Sequence, residues 1–205
     1  MENPQQDTYR LITERQQAQP SMMQSIVLAG SSSYAKSVKI TDRLIGDHKT
    51  FRKMLFELGQ LAGDSVGPAE SARLVRLVEL FRDHLMIHCW AEDHFYYPAV
   101  RAVLPKAPSP FCLRYMDQMG DEHRTIEASL DRLERQVRHH PPSPGWSDTY
   151  AVFFHEVRAH MKKEEEDLFP LSERLLGGEG LEQLSRTLEE NRYKAPPIRL
   201  HTQVL

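Results

Sequence analysis

The sequence predicts an all-α fold, an antiparallel up-and-down four-helix bundle with an extra short C-terminal helix. Three observations carry this reading. Four long stretches repeat apolar residues at alternating three- and four-residue steps, the period of an amphipathic helix. The breaks between them are short and rich in Gly and Pro, and short connections between long helices favour antiparallel neighbours. Strand-like alternation of useful length does not occur.

Residues 1–36 read as a polar arm, Gln-rich in places and carrying the run Gly30-Ser31-Ser32-Ser33, with room for a short amphipathic helix around Thr8 to Gln17. The bundle is assigned to 37–176. Its first helix carries Ile40, Leu44, His48, Phe51, Leu55 and Leu58, and ends in the glycines around Gly63. The second carries Leu74, Leu77, Phe81, Leu85, His88, Glu92 and Phe95, with Pro68 suited to its first turn, where a missing N–H costs nothing. The third carries Cys112, Met116, Met119, His123, Ile126, Leu130, Leu133 and Val137 behind a Ser109-Pro110 start. The fourth carries Tyr150, Phe153, Val157, His160, Glu164 and Leu168, with Ser147 as candidate cap and Trp146 as a staple before it. After Gly177-Gly178, Leu181, Leu184 and Leu188 mark the fifth, shorter helix, and the remainder of 177–205 reads as a tail.

Composition narrows the function. The chain has 205 residues, 40% hydrophobic and 27% charged, so a sizeable core is available. A net charge of −3 offers no basic excess for phosphates, so no nucleic-acid partner is expected. The run Ile26-Val27-Leu28-Ala29 is too short for a secretion signal or a membrane span. Two cysteines build neither a disulfide framework nor a Cys-based zinc site. A cytoplasmic protein without a membrane partner is the expectation.

The apolar stripes contain polar residues out of place. His48, His88, Glu92, His123, His160 and Glu164 fall in register with the core faces. Burying unpaired imidazoles and carboxylates is costly, and a metal centre compensates them together. The pattern is doubled: His88 to Pro98 and His160 to Pro170 both read His-x3-Glu-x5-Pro, each with a single histidine, His48 or His123, on the preceding helix. Residues i and i+4 share a helix face with Cβ atoms about 5–6 Å apart, so each His-x3-Glu pair reaches one point. Four nitrogens and two carboxylates would hold two metals, each with two histidines and with the carboxylates between them. That mixture suits iron, and also manganese or zinc.

This doubled His…His-x3-Glu pattern resembles the hemerythrin-like (HHE cation-binding) proteins over roughly Ile40 to Leu176. The resemblance implies a four-helix bundle around a non-haem di-iron centre, oxo- or hydroxo-bridged, with His48, His88, Glu92, His123, His160 and Glu164 as ligands and the two glutamates bridging. Oxygen-carrying invertebrate hemerythrins use five histidines, including a His-x3-His pair, and a later Asp; here Glu127 stands four residues after His123. The chain looks closer to the bacterial four-His, two-Glu branch that includes iron–sulfur cluster repair proteins. Those usually carry a cysteine-containing N-terminal segment, and residues 1–36 have no cysteine.

Around the six ligands, Asp47 and Glu122 directly precede the single histidines and point to a role behind the ligands or along a channel. His84 and Glu156 stand four residues before His88 and His160, where they would line an access path or, for His84, add a nitrogen. His94, His139, His140 and His201 read as surface, His155 as structural and Cys112 as a buried thiol. Cys89 is expected to point away from the centre, and Phe95 and Phe169 to shield it.

The leading function is binding or sensing of dioxygen or nitric oxide. One alternative is a di-iron enzyme for nitric oxide or peroxide reduction, or for iron donation in cluster repair. Another is a zinc-stapled structural or interaction bundle. Whether the chain is an enzyme stays open at this point. Histidine phosphotransfer needs one exposed histidine, and ferritin-like centres use Glu-x-x-His; neither fits.

Overall fold

A computed structural model of the chain describes residues 38–62, 67–104, 110–139 and 142–198. The arm, Gly63, Ser109, His140, His201 and the side chain of Cys112 lie outside the described residues. Among the described residues six α-helices follow one another: α1 Ile40–Leu61, α2 Pro68–Ala91, α3 Tyr97–Val103, α4 Pro110–Val137, α5 Trp146–Lys163 and α6 Phe169–Glu190. A π turn, Glu92–Tyr96, joins α2 to α3, and a second, Glu164–Leu168, joins α5 to α6. A short 3-10 turn, Arg192–Lys194, comes last. No strand occurs among the described residues.

The helices pack in a ring. α1 lies on α2, α2 on α4, α4 on α5, and α1 closes the circle against α5 and α6. Pro68 sits in the first turn of α2 as expected. The start of α5 differs from expectation. Gly145 takes the cap position with φ at 81°, a left-handed value open to glycine, so Trp146 is the first helical residue and Ser147 lies inside the helix. The end also differs in detail. The fourth rod continues through Pro170 to Leu176, breaks at Gly177 (φ 64°, ψ 173°), and resumes as the short extra helix.

The core divides into two apolar clusters. One gathers Phe51, Leu55 and Leu58 of α1, Leu77, Phe81 and Leu85 of α2, Ile126 and Leu130 of α4, and Phe153 and Val157 of α5. The other gathers Ile40 and Leu44, then Tyr96, Tyr97 and Val100, then Met116 and Met119, then Leu168, Phe169 and Leu181. Along α1 and α4 the second cluster precedes the first; along the other two rods the order reverses. That alternation is the antiparallel topology read from side chains. Between the clusters, one position per rod in α1 and α4 and two in each of the others are filled by histidine and glutamate.

Candidate metal centre

Both glutamates of the doubled motif open a π turn. In each, the amide of the fifth residue on, Tyr97 or Phe169, donates to the carbonyl of Glu92 or Glu164. Proline follows at once, at 98 and 170. It has no N–H to give, and the widened turn before it admits its ring without ending the rod. The motif thus codes a local shape: histidine in the last α turn, glutamate at the bulge, proline just beyond. π turns of this kind gather at functional sites.

The six side chains meet in the middle layer. All are buried: His48, Glu92 and Glu164 are 0% exposed and none of the others exceeds 5%. Nε2 of His48 lies 3.2 Å from Oε2 of Glu164 and 3.3 Å from Nε2 of His88. Nε2 of His88 and of His123 each lie 3.2 Å from Oε2 of Glu92. Nε2 of His123 and His160 stand 3.0 Å apart, and His160 is 3.5 Å from Glu164. Donor atoms of His48, His88, Glu92 and Glu164 fall within 4.8 Å of one another, and so do those of Glu92, His123 and His160.

The outer nitrogens decide what this layer wants. Nδ1 of His48 faces Glu165 at 2.8 Å, Nδ1 of His88 faces Asp47 at 3.2 Å, Nδ1 of His123 faces Asp93 at 3.0 Å, and Nδ1 of His160 faces Glu122 at 3.1 Å. A carboxylate only accepts, so each Nδ1 carries the proton. The four Nε2 atoms then turn inward, onto carboxylate oxygens, where each can carry a proton or offer its lone pair to a metal. Both oxygens of Glu92 and Oε2 of Glu164 have no hydrogen-bond partner. A buried layer of two carboxylates and four inward imidazole nitrogens calls for cations, either protons on the rings or metal. The residues fit bound metal on this ground.

Charge in the metal-free layer follows the same logic. Burial opposes a charged His88, but Glu92 and Asp47 hold its pKa well above the usual imidazole value. Burial likewise opposes ionised Glu92, yet His88 and His123 keep it well below the usual carboxylate range. Burial works against Glu122 too, and its bonds to His160 and Lys163 bring it down to about 2. Arg52 reaches Glu165 at 2.7 Å, and Lys163 pairs with Glu122, so two of the supporting carboxylates are themselves tied.

Asp47 and Glu122 stand behind the histidines, each serving the ring on the next rod. Asp93 and Glu165 do the same in the reverse sense and were not singled out from sequence; the available signal was an acidic residue directly after each motif glutamate. His84 and Glu156 fall outside both donor groups. Glu156 lines a cavity of about 210 Å³ with Glu122 and Lys163. Cys89 does not point away: it interacts with His123, while burial pushes its thiol pKa up. His155 is exposed, as are His94 and His139. Phe169 stacks on His48 at 5.7 Å. Its partner across the repeat is Tyr97, which stacks on His123 at 5.4 Å, while Phe95 packs on the edge of the second cluster.

The family model described as the hemerythrin HHE cation binding domain matches residues 39–172. No curated protein and no solved structure matches the chain. No helix among the described residues is long and apolar enough to cross a membrane.

Proposed function

The chain belongs to the hemerythrin HHE cation-binding family, and from that premise we propose that its buried layer holds two iron ions and that the protein binds or senses a small diatomic molecule, dioxygen or nitric oxide. His48 and His88 would hold one ion and His123 and His160 the other, with Glu92 and Glu164 completing the donor set. The observation that carries this reading is the buried layer itself: four Nε2 atoms and two carboxylates turned inward, with each Nδ1 facing an outer carboxylate.

Bound iron would supply one-electron chemistry and coordination positions that the six side chains leave open. The chain's own groups do the rest. The carboxylates behind the rings fix tautomer and orientation and raise imidazole basicity. Phe51, edge-on to His88 at 5.1 Å, and Phe169 on His48 present apolar rings to the centre. Tyr97 donates to Oε1 of Glu164 at 2.6 Å and keeps that carboxylate in place.

Metal analysis of anaerobically purified protein tests the reading. About two irons per chain, near-ultraviolet absorption on oxidation, and rapid reaction of the reduced form with dioxygen or nitric oxide are expected. Zinc as the resident metal, or reduced iron inert to both gases, would overturn it.

A further inference from the structure

The two halves of the centre are related by the sequence repeat, and they differ at one matched position. The fifth residue after Glu92 is Tyr97; the fifth after Glu164 is Phe169. Each ring stacks on the single histidine of a half, Tyr97 on His123 at 5.4 Å and 22°, Phe169 on His48 at 5.7 Å and 23°. Placement and tilt agree, so the difference is one hydroxyl. That hydroxyl donates to Oε1 of Glu164 at 2.6 Å and lies 3.3 Å from Nε2 of His123.

The surroundings differ too. Tyr97 and Met116, 6% and 3% exposed, floor a cavity of about 460 Å³ walled by Asp93, by Gly120, by Arg101 paired with Asp117 and by Arg124 paired with Asp121. Asp93 is the carboxylate behind His123. Phe169 shares the apolar cluster of Tyr97 with Ile40, Leu44 and Leu181, but does not line that cavity.

Resting on the paired-iron reading above, we propose that the halves of the centre are unequal. A small ligand of diatomic size enters from the cavity floored by Tyr97 and Met116 and binds in the His123–His160 half, where Tyr97 receives it with a hydrogen bond. At rest the Tyr97 proton is held by Glu164; on ligand arrival it turns to the ligand. The His48–His88 half has Phe169 at the matched position and nothing to donate.

The test uses the full iron-loaded chain with azide as probe, and counts iron first in every protein. Wild-type protein without an iron pair overturns the underlying centre, and this inference with it. With the pair present, Mössbauer spectra of the wild type should show two iron environments. Tyr97→Phe should bring them together and weaken azide binding about tenfold, at unchanged iron content, since one hydrogen bond to a charged ligand is of that order. Retention of either property in Tyr97→Phe overturns the assignment. Gly120→Phe fills the cavity, because a Cβ there meets nothing within 4 Å. It should slow azide association at least tenfold with the iron spectra unchanged; an unchanged association rate overturns the entry route.

Discussion

Nδ1 of His88 lies 3.2 Å from Oδ2 of Asp47, the residue directly before His48. Adjacent residues of α1 therefore act on different objects: His48 turns inward to the centre, and Asp47 reaches across to brace the ring of the neighbouring rod. Glu122 and His123 repeat this on α4, with Glu122 bracing His160 at 3.1 Å.

Asp47→Ala and Glu122→Ala should each lower metal affinity about 10- to 100-fold, the usual effect of removing a carboxylate that orients a ligating histidine. Competition titration against a chelator reads this, and far-ultraviolet circular dichroism should stay unchanged. Equal affinity in wild type and Asp47→Ala would remove the bracing role.

Metal uptake should release protons. His88 and His123 are held protonated beyond the usual imidazole range in the metal-free layer, and a metal takes their inner nitrogens only as these lose the proton. Affinity should fall as pH is lowered from 8 to 6. A pH-indicator titration in weak buffer measures the release, and uptake without acidification contradicts it. Loading to about a thousand times Kd should also add about 4 kcal/mol to stability, visible as a raised Tm that a chelator reverses.

Glu122 gives the metal-free protein an acid-sensitive contribution. Its pKa in the folded state is about 2, below the ordinary carboxylate value near 4.3. A depressed value stabilises the fold above the unfolded pKa, and the gain is lost as pH falls from about 4.3 towards 2. The group is partly solvated, so about 1 kcal/mol is at stake. Urea midpoints of metal-free wild type and Glu122→Gln between pH 5 and pH 2.5 should converge as pH drops; parallel curves would exclude the contribution.

Gly177→Ala should destabilise by about 1–3 kcal/mol, because φ 64° with ψ 173° is a conformation essentially restricted to glycine. The segment beyond it is anchored to α1. Leu181 is fully buried, and Arg43 reaches Glu189 at 2.7 Å and Ser185 Oγ at 3.3 Å. Thermal unfolding should shift down by several degrees. An unshifted Tm would mean that the backbone relaxes elsewhere.

The layout was legible where a periodic signal existed. The stripes of α1 and α4 carry an apolar face with one misplaced histidine each, and the i, i+4 rule puts His88 with Glu92 and His160 with Glu164. The π turns were not legible: periodicity counts residues per turn and does not register one extra residue, although both prolines stand where the bulge ends. Gly145 displaced Ser147 as the cap because positive φ is a backbone property that hydroxyl preference does not report. Asp93 and Glu165 were hidden in plainly charged sequence, where solvated faces and ligand braces look alike. Tyr97 was masked by Phe95, the aromatic that ordinary α spacing places nearer to Glu92.

The bulges also explain a spacing that metal ligation alone leaves arbitrary. Each adds one residue to its rod, and a residue corresponds to about 100° of helix rotation. Trimming a single amino acid between Glu92 and Pro98 would swing Tyr97 off His123 and Val100 off its neighbours, though neither had been replaced. The interval from glutamate to proline is therefore a fixed gauge. Point substitutions within it are tolerated or not by chemistry, whereas any insertion or deletion there scrambles the downstream half of the rod.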